Sequence, residues 1–208
     1  MKIYDCDYWK ERCYGLSALT LIDRAIELDH VGGAYSSVFR PTQFICLILK
    51  MLQIGPDKET VLEFIHNDDY KYPPINCIDC RYVTALGMFY LRLTGTSKEI
   101  YTELEPYYSD YRKLRLLTPD GWSIIHMDEF VDMLLEKDMA LNIALPHLDK
   151  RHTLVDRGEL EPRQSILEDE LNDLIKETEK EDSEKSVKRD LPEEKGGEKK
   201  VKTTCPVC

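Results

Sequence analysis

The sequence predicts an all-α fold: one compact multi-helix domain followed by a charged, partly disordered C-terminal tail. Two observations carry that expectation. Apolar residues recur three and four apart between clear helix starts and stops, and two of the runs are apolar on nearly every side. Strict alternation of apolar and polar residues, the mark of a half-buried strand, is almost missing; "WSIIHM" (Trp122 to Met127) is the one stretch that suggests it.

The elements run in order. Ser17 to Leu28 reads as a helix, with Leu21, Ile22, Ala25 and Ile26 on one face, Ser17 able to cap the start, and Gly32-Gly33 preventing any continuation. Thr42 to Ile54 enters after Pro41 and stops at Gly55-Pro56. Its all-round apolar surface places it at the centre of the fold. "DKETVLEFIHN" (Asp57 to Asn67) forms a short helix capped by Asp57, with Val61, Leu62, Phe64 and Ile65 facing in. "YVTALGMFYLRLTGT" (Tyr82 to Thr96) is the second candidate for a central helix and ends at Gly95. Thr96 and Glu99 make a capping-box pattern ahead of "SKEIYTEL". Pro106 starts a further helical stretch through "YYSDYRKLR" (Tyr107 to Arg115), and "TPDGW" (Thr118 to Trp122) is a turn with Asp120-Gly121 at its tip. In "MDEFVDMLLEKD", Phe130, Val131, Leu134 and Leu135 face the core, opposite Asp128, Glu129, Asp132 and Glu136.

Composition then changes. Residues 1–162 make the helical domain. Residues 163–180 hold one amphipathic helix, "ILEDELNDLIKETEK", whose Leu167, Leu171 and Leu174 have coiled-coil spacing. It is too short to be stable alone and needs a surface. Residues 181–208 are Lys/Glu-rich with few apolar side chains, the composition of a disordered tail.

The net charge is −11 over 208 residues, and neither part has the positive field expected of a protein that binds nucleic acid unaided. The polar, charged start "MKIYDCDYWK" is unlike a signal peptide, and the seven cysteines are an odd number, so a reducing intracellular setting with free thiols is expected. The longest apolar run, "FICLILKMLQI", is about half the ~20 residues of a membrane helix, so no membrane segment is expected.

Several patterns carry chemistry in principle. Two Cys-x-x-Cys pairs, Cys77/Cys80 and Cys205/Cys208, contain the four thiolates of a zinc site. They lie more than a hundred residues apart, without knuckle glycines, and a thiol-redox pair would sit at a helix start beside a sheet. Free surface thiols are the favoured reading, and no cofactor is expected. His147 and His152 are five apart and do not share a helical face. His126 and Asp128 could be ligands, but Asp128 is better placed to cap the helix beginning there. "GTSKE" (Gly95 to Glu99) has the wrong order for a phosphate loop, and no hydrolase or dinucleotide motif is present. "YYSDYRKLR" interleaves Tyr107, Tyr108 and Tyr111 with Arg112, Lys113 and Arg115. Such stretches stack on RNA or contact protein, but the favoured reading is a helix with its tyrosines at the core edge and its bases in solvent. The residues alone thus describe an acidic all-helical domain without a visible active site, which favours a scaffold over an enzyme.

Several long stretches resemble the pre-mRNA-splicing factor 38 family: "YWKERCYGL", "ELDHVGGAYSSVFRPTQFICLILKMLQI", "YVTALGMFYLRLTGT", "LEPYYSDYRKLR", "HMDEFVDMLL" and "LPHLDKRHTL", together spanning most of Ile3 to Pro162. The resemblance implies a non-enzymatic, all-helical spliceosomal scaffold in the nucleus. It implies association with the tri-snRNP or the pre-catalytic complex and a part in spliceosome activation. The implied partners are helical segments of other splicing proteins, among them a zinc-finger protein and a microfibrillar-associated-protein homologue; direct RNA contact is left open. On exposure, the candidate contact residues are Tyr111, Arg112 and Arg115, and the acidic face Asp128, Glu129 and Asp132. The rival readings are a zinc- or thiol-dependent protein built on Cys77, Cys80, Cys205 and Cys208, and a helical adaptor outside splicing. Three departures from the family stand out. The sequence starts almost inside the matched segment, where members normally carry a short leader. Its tail is rich in Lys and Glu, where many animal members carry a long Arg/Ser tail. About ten extra residues, "PPINCIDCRY", interrupt a helix–helix connection, where insertions cost little.

Overall fold

The two all-round apolar runs form the centre. In a computed structural model of the chain, which describes residues 2–36, 38–66, 81–163, 167, 171 and 174–176, helix α2 (Gln43–Ile54) and helix α4 (Arg81–Thr94) lie in the core. Phe44 of α2 and Phe89 of α4, both fully buried, meet edge to face with ring centroids 5.9 Å apart. Every residue of α4 from Tyr82 to Arg92 is buried. Even Arg92 is 2 % exposed; its Nε donates to the Leu134 carbonyl at 2.8 Å, and burial pushes its pKa down.

Caps fix the surrounding helices. Ser17 caps α1 (Ala18–Ile26), with Ser17 and Thr20 exchanging side-chain and backbone hydrogen bonds. The buried Thr42 caps α2, and Gly55 ends it in the left-handed region, φ 63°. Asp57 stands at the N-cap of α3 (Lys58–Ile65), but its side chain makes no capping bond. Thr96 starts α5 (Ser97–Leu104), where its N–H donates to the Glu99 carboxylate at 3.3 Å, as the capping-box pattern anticipates. Near the N-terminus a π-helical turn, Trp9–Cys13, buries Trp9 and Cys13. Cys6 Sγ lies 3.7 Å from Cys46 Sγ on α2.

The expectation of an all-α fold is wrong: the fold is mixed α/β. Among the described residues, strands β1 (Val31–Gly32), β4 (Lys113–Thr118) and β5 (Gly121–His126) form one sheet in the order β1-β4-β5. Strands β2 (Ala34–Tyr35) and β3 (Arg40–Pro41) form a second, and β6 (Met139–Ala140) and β7 (Ile143–Ala144) a third. The helix expected through "YYSDYRKLR" closes as a 3-10 turn, Glu105–Ser109. Asp110 is extended, and its Oδ1 takes the Arg112 N–H at 3.0 Å, a local closure that competes with helix. From Lys113 the side chains alternate, Leu114 buried between exposed Lys113 and Arg115, and β4 pairs antiparallel with β5 from Lys113↔His126 to Thr118↔Gly121. Pro119-Asp120 makes the turn, with Gly121 at φ 132°.

The paired glycines do more than break a helix. Gly32 sits in β1, in parallel register with Leu117. Gly33 lies so close to the β6–β7 turn that a Cβ would meet the Leu141 carbonyl oxygen at 1.8 Å. Helix α6 (Met127–Glu136) continues directly from β5, and α7 (Arg151–Asp156) is short. The chain divides into two compact units, Met1–Glu161 and Pro162–Cys208. In the second, Leu171 and residues 174–176 are helical, Leu171 N–H donates to the Leu167 carbonyl at 2.9 Å, and Leu167, Leu171, Leu174 and Ile175 are exposed. The tail expected over 181–208, the inserted "PPINC" and the four cysteines Cys77, Cys80, Cys205 and Cys208 lie outside the described residues. Among the described residues no helix is long and apolar enough to cross a membrane.

Candidate partner-binding groove

The hairpin and α6 build an open groove of about 570 Å³. One wall is the hairpin face carrying Leu116 of β4 and Ile125 of β5; Tyr108 of the 3-10 turn closes one side. The other wall is the outer side of α6, with Asp128, Glu129, Asp132 and Met133, and Lys137 stands at its end. The floor is apolar and the rim acidic.

The start of α6 sets the rim. The β4–β5 ladder continues one step beyond the hairpin, Met127 N–H donating to the Arg112 carbonyl at 3.0 Å. Met127 is thus the first helical residue, and His126 is the cap in place of Asp128; the Glu129 carboxylate takes the His126 N–H at 2.9 Å. Asp128 therefore falls in the first turn, where the helix dipole favours a carboxylate. Its Oδ1 is buried and has no hydrogen-bond partner among the described residues. A buried acceptor without a donor is costly, by about 1–3 kcal/mol, until a donor arrives.

The groove thus brings together the acidic three, Asp128, Glu129 and Asp132, and leaves out Tyr111, Arg112 and Arg115. Arg112 is committed to Asp110, with Nε 2.8 Å and Nη2 2.6 Å from Oδ2. Burial alone would raise the Asp110 pKa, but the Arg112 side-chain and backbone hydrogen bonds outweigh it and hold the carboxyl below its ordinary value. Arg115 stands on the opposite hairpin face, its guanidinium 4.8 Å from the Trp122 ring centroid and 3.5 Å from Asp29. Tyr111 is 70 % exposed ahead of β4. Sequence reasoning missed Tyr108, Leu116, Ile125, Met133 and Lys137 as lining; the alternation of Leu114 and Leu116 with charged residues was the available signal.

Chemistry is sparse. Among the described residues no group of three His, Cys, Asp or Glu side chains could hold a metal, so His126 and Asp128 do not make a site there. His147 Nε2 lies 3.9 Å from Asp149. The thiols of Cys13 and Cys46 are shielded: burial, with a neighbouring cysteine, pushes Cys13 up to about 12 and Cys46 higher still.

The family model of the PRP38 family matches residues 1–158. The chain belongs to the PRP38 family. Among its relatives, pre-mRNA-splicing factor 38 of Arabidopsis thaliana is 54 % identical over 173 residues, covering 83 % of this chain and 46 % of that protein. The Drosophila melanogaster factor 38 is 45 % identical over 194 residues, 93 % of this chain and 54 % of that one. Human factor 38A is 45 % identical over 174 residues, 83 % and 53 % respectively. This family member spans about half the length of the curated relatives it matches. A chain in the crystal structure of the Snu23-Prp38-MFAP1(217-258) complex of Chaetomium thermophilum is 37 % identical, with a TM-score of 0.72, covering 86 % of this chain and 88 % of that one.

Proposed function

We propose that this PRP38-family chain is a non-catalytic splicing scaffold that acts in the nucleus, with the tri-snRNP, when the spliceosome is activated. Its work is to hold other splicing proteins, a zinc-finger protein and an MFAP1-like protein among them; the 37 % identical chain comes from a complex of Snu23, Prp38 and an MFAP1 segment, which supports the reading. The observation that carries the reading is the groove between the hairpin and α6: an apolar floor, a rim of Asp128, Glu129 and Asp132, and one buried carboxylate oxygen still lacking a donor. Such a groove suits an amphipathic helix whose apolar residues fill the floor while a Lys or Arg reaches Asp128. The net charge of −11 disfavours RNA as the main ligand. The exposed Tyr111, with Arg112 and Arg115, is a second contact surface in this reading.

The test is affinity purification of the tagged chain from nuclear extract, then calorimetry with a peptide equivalent to the MFAP1 segment of the relative's complex. Near-stoichiometric tri-snRNP or pre-catalytic spliceosome proteins should co-elute. Asp132→Lys combined with Asp128→Asn should weaken the peptide about tenfold or more, roughly 1.4 kcal/mol. Splicing proteins that co-elute equally with the double variant would move the site off the groove; their absence with the unaltered chain would end the scaffold reading.

A further inference from the structure

Among the described residues, strand β5 is the edge of its sheet. Its register with β4 tells which backbone groups face outward. Met127 N–H bonds the Arg112 carbonyl, so residues 125, 123 and 121 also aim their polar groups at β4, and residues 122, 124 and 126 aim theirs away. The same alternation accounts for the far side of β4, where the Lys113 carbonyl accepts from Arg81 and Arg115 N–H donates to the Tyr82 hydroxyl. On β5, Glu129 takes the outward N–H of His126. The N–H and C=O of Trp122 and Ile124 are left without a partner among the described residues.

The side chains beside those groups also stand largely outside the core. Trp122 is 57 % and Ile124 66 % exposed, on the hairpin face opposite the groove. The Trp122 ring is held between the His30 edge, 5.2 Å away, and the Arg115 guanidinium. Lys113 shares this face, two residues from Arg115. An apolar pair flanked by two cations, next to unsatisfied strand groups, is a template for another strand.

We propose that the β5 edge docks an extended, acidic segment of another protein, which adds to the sheet as a fourth strand. Two incoming residues exchange four hydrogen bonds with Trp122 and Ile124. The residue opposite Ile124 is aliphatic, and the one opposite Trp122 carries a carboxylate that takes the guanidinium standing on that ring. Asp29, 3.5 Å from Arg115 and itself exposed, is a weak competitor. A second copy of this chain fits less well. The pairing edge is two residues long, far below the roughly 800 Å² per partner of a stable dimer, and each copy carries a net charge of −11. The proposal does not rest on the groove, which lies on the other face.

The test is an amide-resonance titration of the isotope-labelled full chain with a capped, roughly twelve-residue peptide repeating Val-Thr-Glu-Thr, which sets Val and Glu two apart on one strand face and is long enough to cover one strand. The expected result is saturable shifts confined to Gly121–His126 and their β4 partners, with the Lys-for-Glu peptide about tenfold or more weaker. Ile124→Pro removes an outward N–H that the fold does not use, and should cost about tenfold or more in affinity; Ile124→Thr, which keeps that N–H, should not. Should the proline variant fail to fold, a peptide N-methylated at the residues facing β5 makes the same test and must lose binding. No saturable shift, shifts on α6 instead, or binding that survives both the proline and the N-methylation overturns the proposal. Concentration-dependent β5 shifts without peptide, with a doubled mass in light scattering, would assign the edge to a second copy and overturn the partner named here.

Discussion

Gly33→Ala is the sharpest perturbation the fold offers. The added Cβ would lie 1.8 Å from the Leu141 carbonyl oxygen, 2.4 Å from its carbon and 2.9 Å from Asn142 Oδ1. A relaxed carbon–oxygen contact needs about 3.3 Å, so the backbone has to separate by more than an ångström. The part that would move is the two-residue β6–β7 turn, with Leu141 at φ 51° and Asn142 at φ 62°, a conformation that already leaves little freedom. Moving it breaks the Ala34 N–H···Oδ1 Asn142 bond, 3.3 Å long, for about 1 kcal/mol. It also unpacks much of Leu141, 9 % exposed, whose burial is worth about 1.5–3 kcal/mol. Against this, alanine stiffens the unfolded chain by about 0.4–1 kcal/mol. The net is a loss of about 2–3 kcal/mol, or roughly 4–12 °C in melting temperature for a domain of this size. Thermal melts of Gly33→Ala and of a control, Gly15→Ala, check it. Gly15 has nothing within 4 Å and no positive φ, so the control should melt within a degree or two of the unaltered chain. A Gly33→Ala protein that melts with the control would refute the close-packed account of this corner.

Three further outcomes are expected. Asp110 and Glu99 both titrate below their ordinary range in the fold, Asp110 through Arg112 overcoming its burial and Glu99 through its bond from Lys58. A depressed folded pKa means stability that is complete above the unfolded value, near pH 4, and is lost as pH falls through the folded one; denaturant melts from pH 6 to 3 should show Asp110→Asn with a flatter acid limb than the unaltered chain. Cys13 and Cys46 hold their protons far above neutrality, so alkylation at pH 8 and subsequent peptide mapping should leave both unmodified until denaturant is added, and rapid native labelling would contradict their burial. Metal analysis of the purified chain should find no stoichiometric zinc and Cys77→Ser should melt normally, since the two Cys-x-x-Cys pairs lie more than a hundred residues apart and lack knuckle glycines; one zinc per chain, lost on that substitution, would favour a Cys77/Cys80/Cys205/Cys208 site.

The centre, and the helix starts at Ser17, Thr42 and Thr96, were legible in the residues themselves. Runs such as Phe44–Met51 and Tyr82–Leu91 have no polar face to turn to water, so burial is the only outcome for them, and the caps at Ser17, Thr42 and Thr96 act within one turn of chain. The same locality made the PRP38 resemblance legible, because it rests on contiguous stretches. Tertiary structure decided the rest. "RKLR" has charges that fit either period. It became a strand because Leu116 found Val31 some eighty residues away and Leu114 found Ile125 across a turn, and no local spacing reports such pairings. The end of that ladder at Met127 then moved the helix cap from Asp128 to His126 and turned Asp128 from a cap into a half-buried acid on the groove wall, with one oxygen buried. The groove draws on three separate stretches, the 3-10 turn, the hairpin and α6, and the free β5 edge on a strand order. Both are properties of how elements meet, which a pattern within one element does not encode.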